Sequence, residues 1–223
     1  MVQIAVSIFH LAEEELARRI KQVPNADYIH IDVTDGRFVQ DAHGGASLFW
    51  DETKLEVIAA NTAVPLDVHL MIANPDEHVE RYARFGPKYI SFHLEATDDS
   101  GGVIDRIRKY GVSPVVAINP ETPITNISHL LGQVGMVLLM GVVPGRGGQG
   151  YIPEVTRKIA DLKRLIDKMD LAVLIEVDGG IKLNNAYLPV NAGADVLVSG
   201  TGIFNHQQYN PQEVIEMMKK SSL

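Results

Sequence analysis

Short runs of β-branched and other apolar residues alternate with amphipathic stretches along the whole chain. The runs predict strands at Gln3–Phe9, Asp27–Val33, Pro65–Met71, Tyr89–His93, Ser113–Ile118, Met136–Met140, Ala172–Asp178 and Asp195–Ser199. Between them, apolar positions recur at helical spacing over Glu13–Val23, Asp76–Phe85, Val103–Tyr110 and Glu154–Met169. Most strand runs are near-continuously apolar, the pattern of parallel strands covered by helices. Eight strand–helix units in 223 residues predict an α/β fold, a single-domain (β/α)8 TIM barrel over residues 1–223. A doubly wound open sheet is the competing arrangement. The count of eight and the even spacing favour the barrel.

In such barrels the working face lies at the C-terminal ends of the strands. Polar residues cluster at those ends: Ser7, His30 with Asp32, His69, His93, Asn119, Asp178 and Ser199-Gly200-Thr201. The longest unassigned connection, Thr34–Trp50, follows the second strand, and a Gly-rich run, Pro144–Gly150, follows the sixth. Loops of that length are usually functional or mobile.

His30 and Asp32 are two apart on one strand, as are Asp67 and His69, and a period of two puts each pair on one face. Two carboxylates in one barrel mouth need a positive partner, and no strand offers an inward Lys or Arg. A divalent ion resolves the conflict. His30, Asp32, His69 and Asp178 form a donor set for one first-row metal, which Zn²⁺, Mn²⁺, Fe²⁺ and Co²⁺ all fit. His93 is either a polar contact behind a ligand or plain packing. Met71 and Met140 are either core filler or the floor of a pocket.

Gly179-Gly180 after the seventh strand and Ser199–Gly202 after the eighth have the placement of a barrel phosphate site. Glycines there let backbone N–H groups approach phosphate oxygens. The run Gly145–Gly150 is placed to close over the same ligand.

Charge and composition narrow the partners. Twenty Lys and Arg against 28 Asp and Glu give a formal charge of −8, which argues against nucleic acid or anionic membrane as partner. The absence of cysteine excludes a thiolate nucleophile, a disulfide framework and a Cys-based zinc site. No apolar run reaches the roughly 18 residues of a membrane span. The N-terminal stretch lacks the basic region of a secretory signal, so a cytoplasmic location is expected.

A metal, two carboxylates and a phosphate anchor define a reaction class. A metal on a carbonyl and its neighbouring hydroxyl acidifies the C–H between them. One carboxylate removes that proton and the other returns one to the opposite face, which epimerises a ketose phosphate next to its ketone.

The residues His30–Val39, Leu66–Met71 with Asn74-Pro75, Asn119–Pro123, Pro144-Gly145 with Gly147–Gln149, Glu176–Gly180 with Asn185, and Ala192–Asp195 resemble the ribulose-phosphate 3-epimerase family in order and spacing over nearly the whole chain. The resemblance implies a metal held by His30, Asp32, His69 and Asp178, with Asp32 and Asp178 as the acid/base pair on opposite faces of C3. It implies Ser7, Met71 and Met140 around the substrate, and backbone groups near Gly148, Gly179, Gly180, Gly200 and Thr201 on the phosphate. It also implies a homo-oligomer, a dimer or hexamer. The reaction expected is D-ribulose 5-phosphate to D-xylulose 5-phosphate.

Several departures fall at the presumed active face. The family has Met where this chain has Thr34, and a Phe-Val-Pro-Asn segment where it has Phe38-Val39-Gln40-Asp41. The family reads Met-Ser-Val-Asn-Pro-Gly-Phe where this chain reads Met140-Gly141-Val142-Val143-Pro144-Gly145-Arg146. Phe9-His10 replaces the usual Leu and small residue. Thr34 and Arg146 are therefore candidate specificity residues. His10 and His43 either contact added hydroxyls or are solvated loop residues. A hexulose 6-phosphate such as D-allulose 6-phosphate is the alternative substrate, and a non-catalytic sugar-phosphate sensor a further one. Decarboxylation of the orotidine-phosphate type is disfavoured, because Asp67-Val68-His69-Leu70-Met71-Ile72 lacks the lysine and final aspartate of that Asp-x-Lys-x-x-Asp motif.

Overall fold

In the computed structural model, eight parallel strands close into a barrel in sequence order, the last paired with the first. Residues 1–9, 11–39, 52–145 and 149–221 are described. The strands are β1 (Gln3–Ser7), β2 (Tyr28–Thr34), β3 (Leu66–Met71), β4 (Tyr89–His93), β5 (Ser113–Ile118), β6 (Met136–Met140), β7 (Leu174–Asp178) and β8 (Val196–Ser199). The helices are α1 (Leu16–Ile20), α2 (Glu52–Asn61), α3 (Val79–Ala83), α4 (Ser100–Lys109), α5 (Val155–Lys168), α6 (Tyr187–Asn191), α7 (Thr201–Phe204) and α8 (Pro211–Lys219). Among the described residues no helix is long and apolar enough to cross a membrane.

All eight strands lie where the apolar runs place them, most of them trimmed by one to two residues at an end. The trimmed residues have their own work. Asp27 ahead of β2 accepts the Ile4 N–H at 2.8 Å, and Asp195 ahead of β8 accepts the Ile175 N–H at 2.9 Å. Each carboxylate thus satisfies a donor near the start of a neighbouring strand.

The helical runs hold less uniformly. Glu13–Val23 resolves into a 3-10 turn at Glu13–Glu15 and the short α1, and Asp76–Phe85 into a 3-10 turn at Pro75–Glu77 and α3. Between β5 and β6 the regular pattern fails. That crossover is made of two 3-10 turns, Ile124–Ile127 and Leu131–Gln133, without an α-helix. Its sequence carries Pro123, β-branched Ile124, Thr125 and Ile127, and Gly132, all poor helix formers. Ile127, Leu130 and Leu131 still bury against the barrel and cover it as a helix would.

The alternation along each strand explains why the runs look continuously apolar. Ile29, Ile31 and Val33 of β2 and Val68 and Leu70 of β3 face the helices, in one large cluster with Leu16, Ile58 and Val79. The intervening residues face the barrel interior. There β5, β6 and β8 contribute apolar side chains, among them Val115, Leu138, Met140 and Val198. The strands β2, β3, β4 and β7 instead bury His30, Asp32, Asp67, His69, Ser91, His93 and Glu176. One half of the interior is oil and the other half is ionisable.

Candidate active site

The polar half of the interior is assembled by strand register. Asp32 on β2 pairs with His69 on β3, His30 pairs with Asp67, and on the far side Met140 of β6 pairs with Asp178 of β7. One donor atom from each of His30, Asp32, His69 and Asp178 lies within 4.8 Å of the others. These are the four residues that spacing singles out. Asp32 Oδ1 stands 3.3 Å from His30 Nε2 and 3.1 Å from His69 Nδ1, while its Oδ2 accepts the Ser7 hydroxyl at 3.0 Å. His30 Nε2 is buried and makes no hydrogen bond. A buried, unpartnered imidazole nitrogen facing two carboxylates is the donor arrangement that a divalent cation satisfies.

The ordinary acidities of these groups are strongly displaced. Burial raises the Asp178 carboxyl, the negative charge of Asp32 raises it further, and it is pushed up to about 7. Burial acts the same way on Asp32, but His30 and His69 outweigh it and hold that carboxyl far below the usual range. Burial lowers His30, yet the charges of Asp32 and Asp67 win and hold it well above the usual imidazole range. His69 is lowered, chiefly by burial. The two aspartates are therefore driven in opposite directions, as a site needs when one carboxyl must accept a proton and another supply it.

A cavity opens above this cluster. Asp32 and Asp178 line it together with Ser7, Met71 and Met140. Gly179, Gly180, Gly200 and Thr201 line its other side. Gly179 and Gly180 have φ of 124° and 69°, a backbone that L side chains rarely adopt. A Cβ on Gly180 would sit 2.2 Å from the Tyr151 nitrogen, so the chain passes too close there for any side chain. Ser199 on β8 also lines the cavity, and its hydroxyl donates to the Ile181 carbonyl at 2.8 Å, tying the two glycine loops together. Thr34 is fully buried on β2, paired with Met71, and is not among the residues lining the cavity. His10, His43, Arg146 and Gly148 lie outside the described residues.

Several residues of the site escape a reading of strand ends. Glu176 is fully buried on β7, and His30 Nδ1 stands 2.6 Å from Asp67 Oδ2 and 3.9 Å from Glu176 Oε1. Burial and the neighbouring Asp67 raise Glu176 well above the usual range. Glu176 precedes Asp178 by two, so the period of two that pairs Asp67 with His69 also marks it. Lys182 lines the cavity and is the one cationic side chain to do so among the described residues. His93, left open by its sequence position, is fully buried with Nε2 2.9 Å from His69 Nε2. Burial lowers it to about 4, so at neutral pH it is an uncharged imidazole.

Known proteins share both the sequence and the barrel. Residues 3–204 match the model of the Ribulose-phosphate 3 epimerase family. The chain is 40% identical over 209 residues to a protein of Bacillus subtilis named Ribulose-phosphate 3-epimerase, covering 92% of this chain and 93% of that one. It is 40% identical over 206 residues to the protein of the same name from Methanocaldococcus jannaschii, covering 92% and 85%. Among solved structures it resembles KGPDC from Streptococcus mutans, with a TM-score of 0.73, 14% identity and 99% and 96% of the chains covered. Orotidine 5'-phosphate decarboxylase from Pyrococcus horikoshii superimposes with a TM-score of 0.64 at 16% identity, covering 99% and 98%. At such identities these two establish the shared barrel alone.

Proposed function

The chain belongs to the ribulose-phosphate 3-epimerase family, and from that premise we propose that it is a metal-dependent 3-epimerase converting D-ribulose 5-phosphate to D-xylulose 5-phosphate. The observation that carries the reading is the pair Asp32 and Asp178, which reach one cavity from β2 and β7 with acidities driven apart. Asp32, kept as a carboxylate by His30, His69 and the Ser7 hydroxyl, takes the C3 proton. Asp178, the carboxyl that holds its proton more tightly, gives one to C3 from the opposite face. The reverse reaction exchanges the two roles.

His30, Asp32, His69 and Asp178 would hold one divalent ion per subunit, Zn²⁺ foremost, with Fe²⁺, Mn²⁺ and Co²⁺ as alternatives. When bound, the ion polarises the ketone and steadies the negative charge that develops as the C3 proton leaves. Ser7, Met71 and Met140 flank the sugar. Backbone groups of Gly179, Gly180, Gly200 and Thr201, with Gly148, take the phosphate, and the Lys182 ammonium adds positive charge at the cavity. His10, His43 and Arg146 are our candidate specificity residues, and Thr34, outside the cavity lining, would act on specificity only through its neighbour Met71. A homo-oligomer in the cytoplasm completes the reading.

Chelation tests it. Exhaustive removal of metal should abolish turnover of D-ribulose 5-phosphate, and a first-row divalent ion should restore it. Full turnover by metal-free protein would contradict the proposal. Parallel assays with D-allulose 6-phosphate separate the substrates: a higher kcat/KM for the hexulose keeps the chemistry and moves the assignment. Tight binding of a sugar phosphate without turnover by metal-loaded protein would make the chain a sensor.

A further inference from the structure

We propose that His93 and Glu95 are positioning residues for His69, holding its Nδ1 toward Asp32 through a chain of polar contacts anchored on the β5–β6 crossover. The inference rests on the metal reading above. Its starting point is the 2.9 Å contact between the Nε2 atoms of His69 and His93, whose rings meet edge to edge with centroids 5.0 Å apart and planes 25° apart. Two ring nitrogens at that distance share one proton, one donating and the other accepting. The hydrogen-bond network assigns the proton. His69 Nδ1 faces Asp32 Oδ1 at 3.1 Å, where a metal ligand needs a free lone pair. The His69 proton therefore belongs on Nε2, donating to His93, and the His93 proton belongs on its own Nδ1.

That Nδ1 is buried without a hydrogen bond, and the carboxylate oxygen facing it is Glu95 Oε2 at 3.4 Å, so the Glu95 charge acts on it as an ion-pair contact. Glu95 is itself clamped. Its Oε1 accepts the Asn119 N–H at 2.9 Å and the Thr122 hydroxyl. Lys158 of α5 secures the same turn by donating to the Asn119 carbonyl at 2.6 Å. On the other flank the Phe38 ring lies 4.9 Å from the His93 ring, centroid to centroid, and covers it. The chain of contacts runs from Asp32 through His69, His93 and Glu95 to the turn at Asn119–Thr122. Packing alone would not call for an imidazole here, since an apolar ring would fill the site with no polar nitrogen to bury. The hydrogen bond from a ligand imidazole to an outer partner fixes its tautomer and ring orientation, and losing it typically weakens metal binding about 10–100-fold.

The test titrates metal-free wild type, His93→Phe, His93→Gln and Glu95→Ala with Co²⁺, reading the dissociation constant and the visible absorption band. Circular dichroism checks the fold. His93→Phe keeps an aromatic ring but cannot accept a proton, and should bind Co²⁺ about 10–100-fold more weakly with a shifted band. His93→Gln offers an amide oxygen to His69 and an amide N–H to Glu95, and should recover affinity and band toward wild type. Wild-type affinity and an unchanged band in His93→Phe would overturn the inference alone and leave the metal reading standing. Should His93→Phe fail to fold, Glu95→Ala decides: weakened binding supports the chain and wild-type binding overturns it. Wild-type protein that takes up no Co²⁺ would overturn the metal reading and this inference with it.

Discussion

His30 Nδ1 stands 2.6 Å from Asp67 Oδ2 inside the barrel, with both side chains fully buried. The bond puts the His30 proton on Nδ1 and turns Nε2 toward Asp32. Asp67→Asn should keep the shape but remove the charge that supports His30. We expect a loss of about 1–3 kcal/mol in stability by denaturant titration. Glu176→Gln should behave differently. Its carboxyl oxygens are buried without a hydrogen-bond partner and Asp67 Oδ1 is unsatisfied, so an amide N–H there has an acceptor to meet. This variant should match or exceed wild-type stability at neutral pH, and a larger loss than that of Asp67→Asn would contradict the assignment.

The raised pKa of Asp178 makes the stability of metal-free protein depend on pH. Its carboxyl titrates near 7 in the folded chain, against an ordinary value of 3.8. Between those values the folded chain binds a proton that the unfolded chain has released, so stability from this group is complete below about pH 4 and is lost as pH rises through about 7. In thermal melts, the Tm of metal-free wild type relative to Asp178→Asn should fall across that window. Bound metal should move this window to lower pH, because ligation favours the carboxylate form. A Tm difference that is flat with pH would contradict the burial of Asp178 as an acid.

Gly141 is where this chain departs from the family's serine, and the structure gives a reason for glycine. A Cβ there would lie 2.6 Å from the Gly179 carbonyl oxygen and 3.0 Å from the Tyr151 ring. The end of β6 and the turn after β7 are thus closed against each other beside the cavity. Gly141→Ser should cost about 1–3 kcal/mol by overpacking, and should raise KM more than it lowers kcat if the shift is confined to the loops. Wild-type stability would show that the two loops separate freely.

Much of this site is legible in the sequence because strands obey a period of two. His30 with Asp32, and Asp67 with His69, share a face in any strand pairing, and the barrel rule then puts their C-terminal members at one mouth. Glu176 was equally legible by that rule. What the sequence could not supply is lateral. That His93 lies against His69 depends on the β3–β4 register, in which His69 pairs with Ser91, and on a ring turned back toward its neighbour. The missing helix between β5 and β6 is a second case. The apolar residues Ile127, Leu130 and Leu131 recur at i, i+3 and i+4 as on a helix face, yet Pro123, Gly132 and the β-branched residues between them break the segment into 3-10 turns, so the strand count was readable while the form of the crossover was not.

Asp178→Asn should retain the fold and the cavity while losing the proton that returns to C3. General acid–base groups contribute typically 10²–10⁴-fold, so kcat on D-ribulose 5-phosphate should drop by about that factor with KM little changed. Turnover within a few-fold of wild type would remove Asp178 from the proton transfer.

The central claim is that two aspartates exchange protons at C3 of a phosphorylated ketose. The direct measurement is NMR of metal-loaded protein in D₂O with D-ribulose 5-phosphate, following deuterium entry at C3 together with formation of D-xylulose 5-phosphate. The account predicts that product carries deuterium at C3, and that Asp32→Asn shows neither exchange nor epimer. Epimer formed with the original C3 hydrogen retained, or no exchange with either the pentulose or the hexulose phosphate, would contradict it.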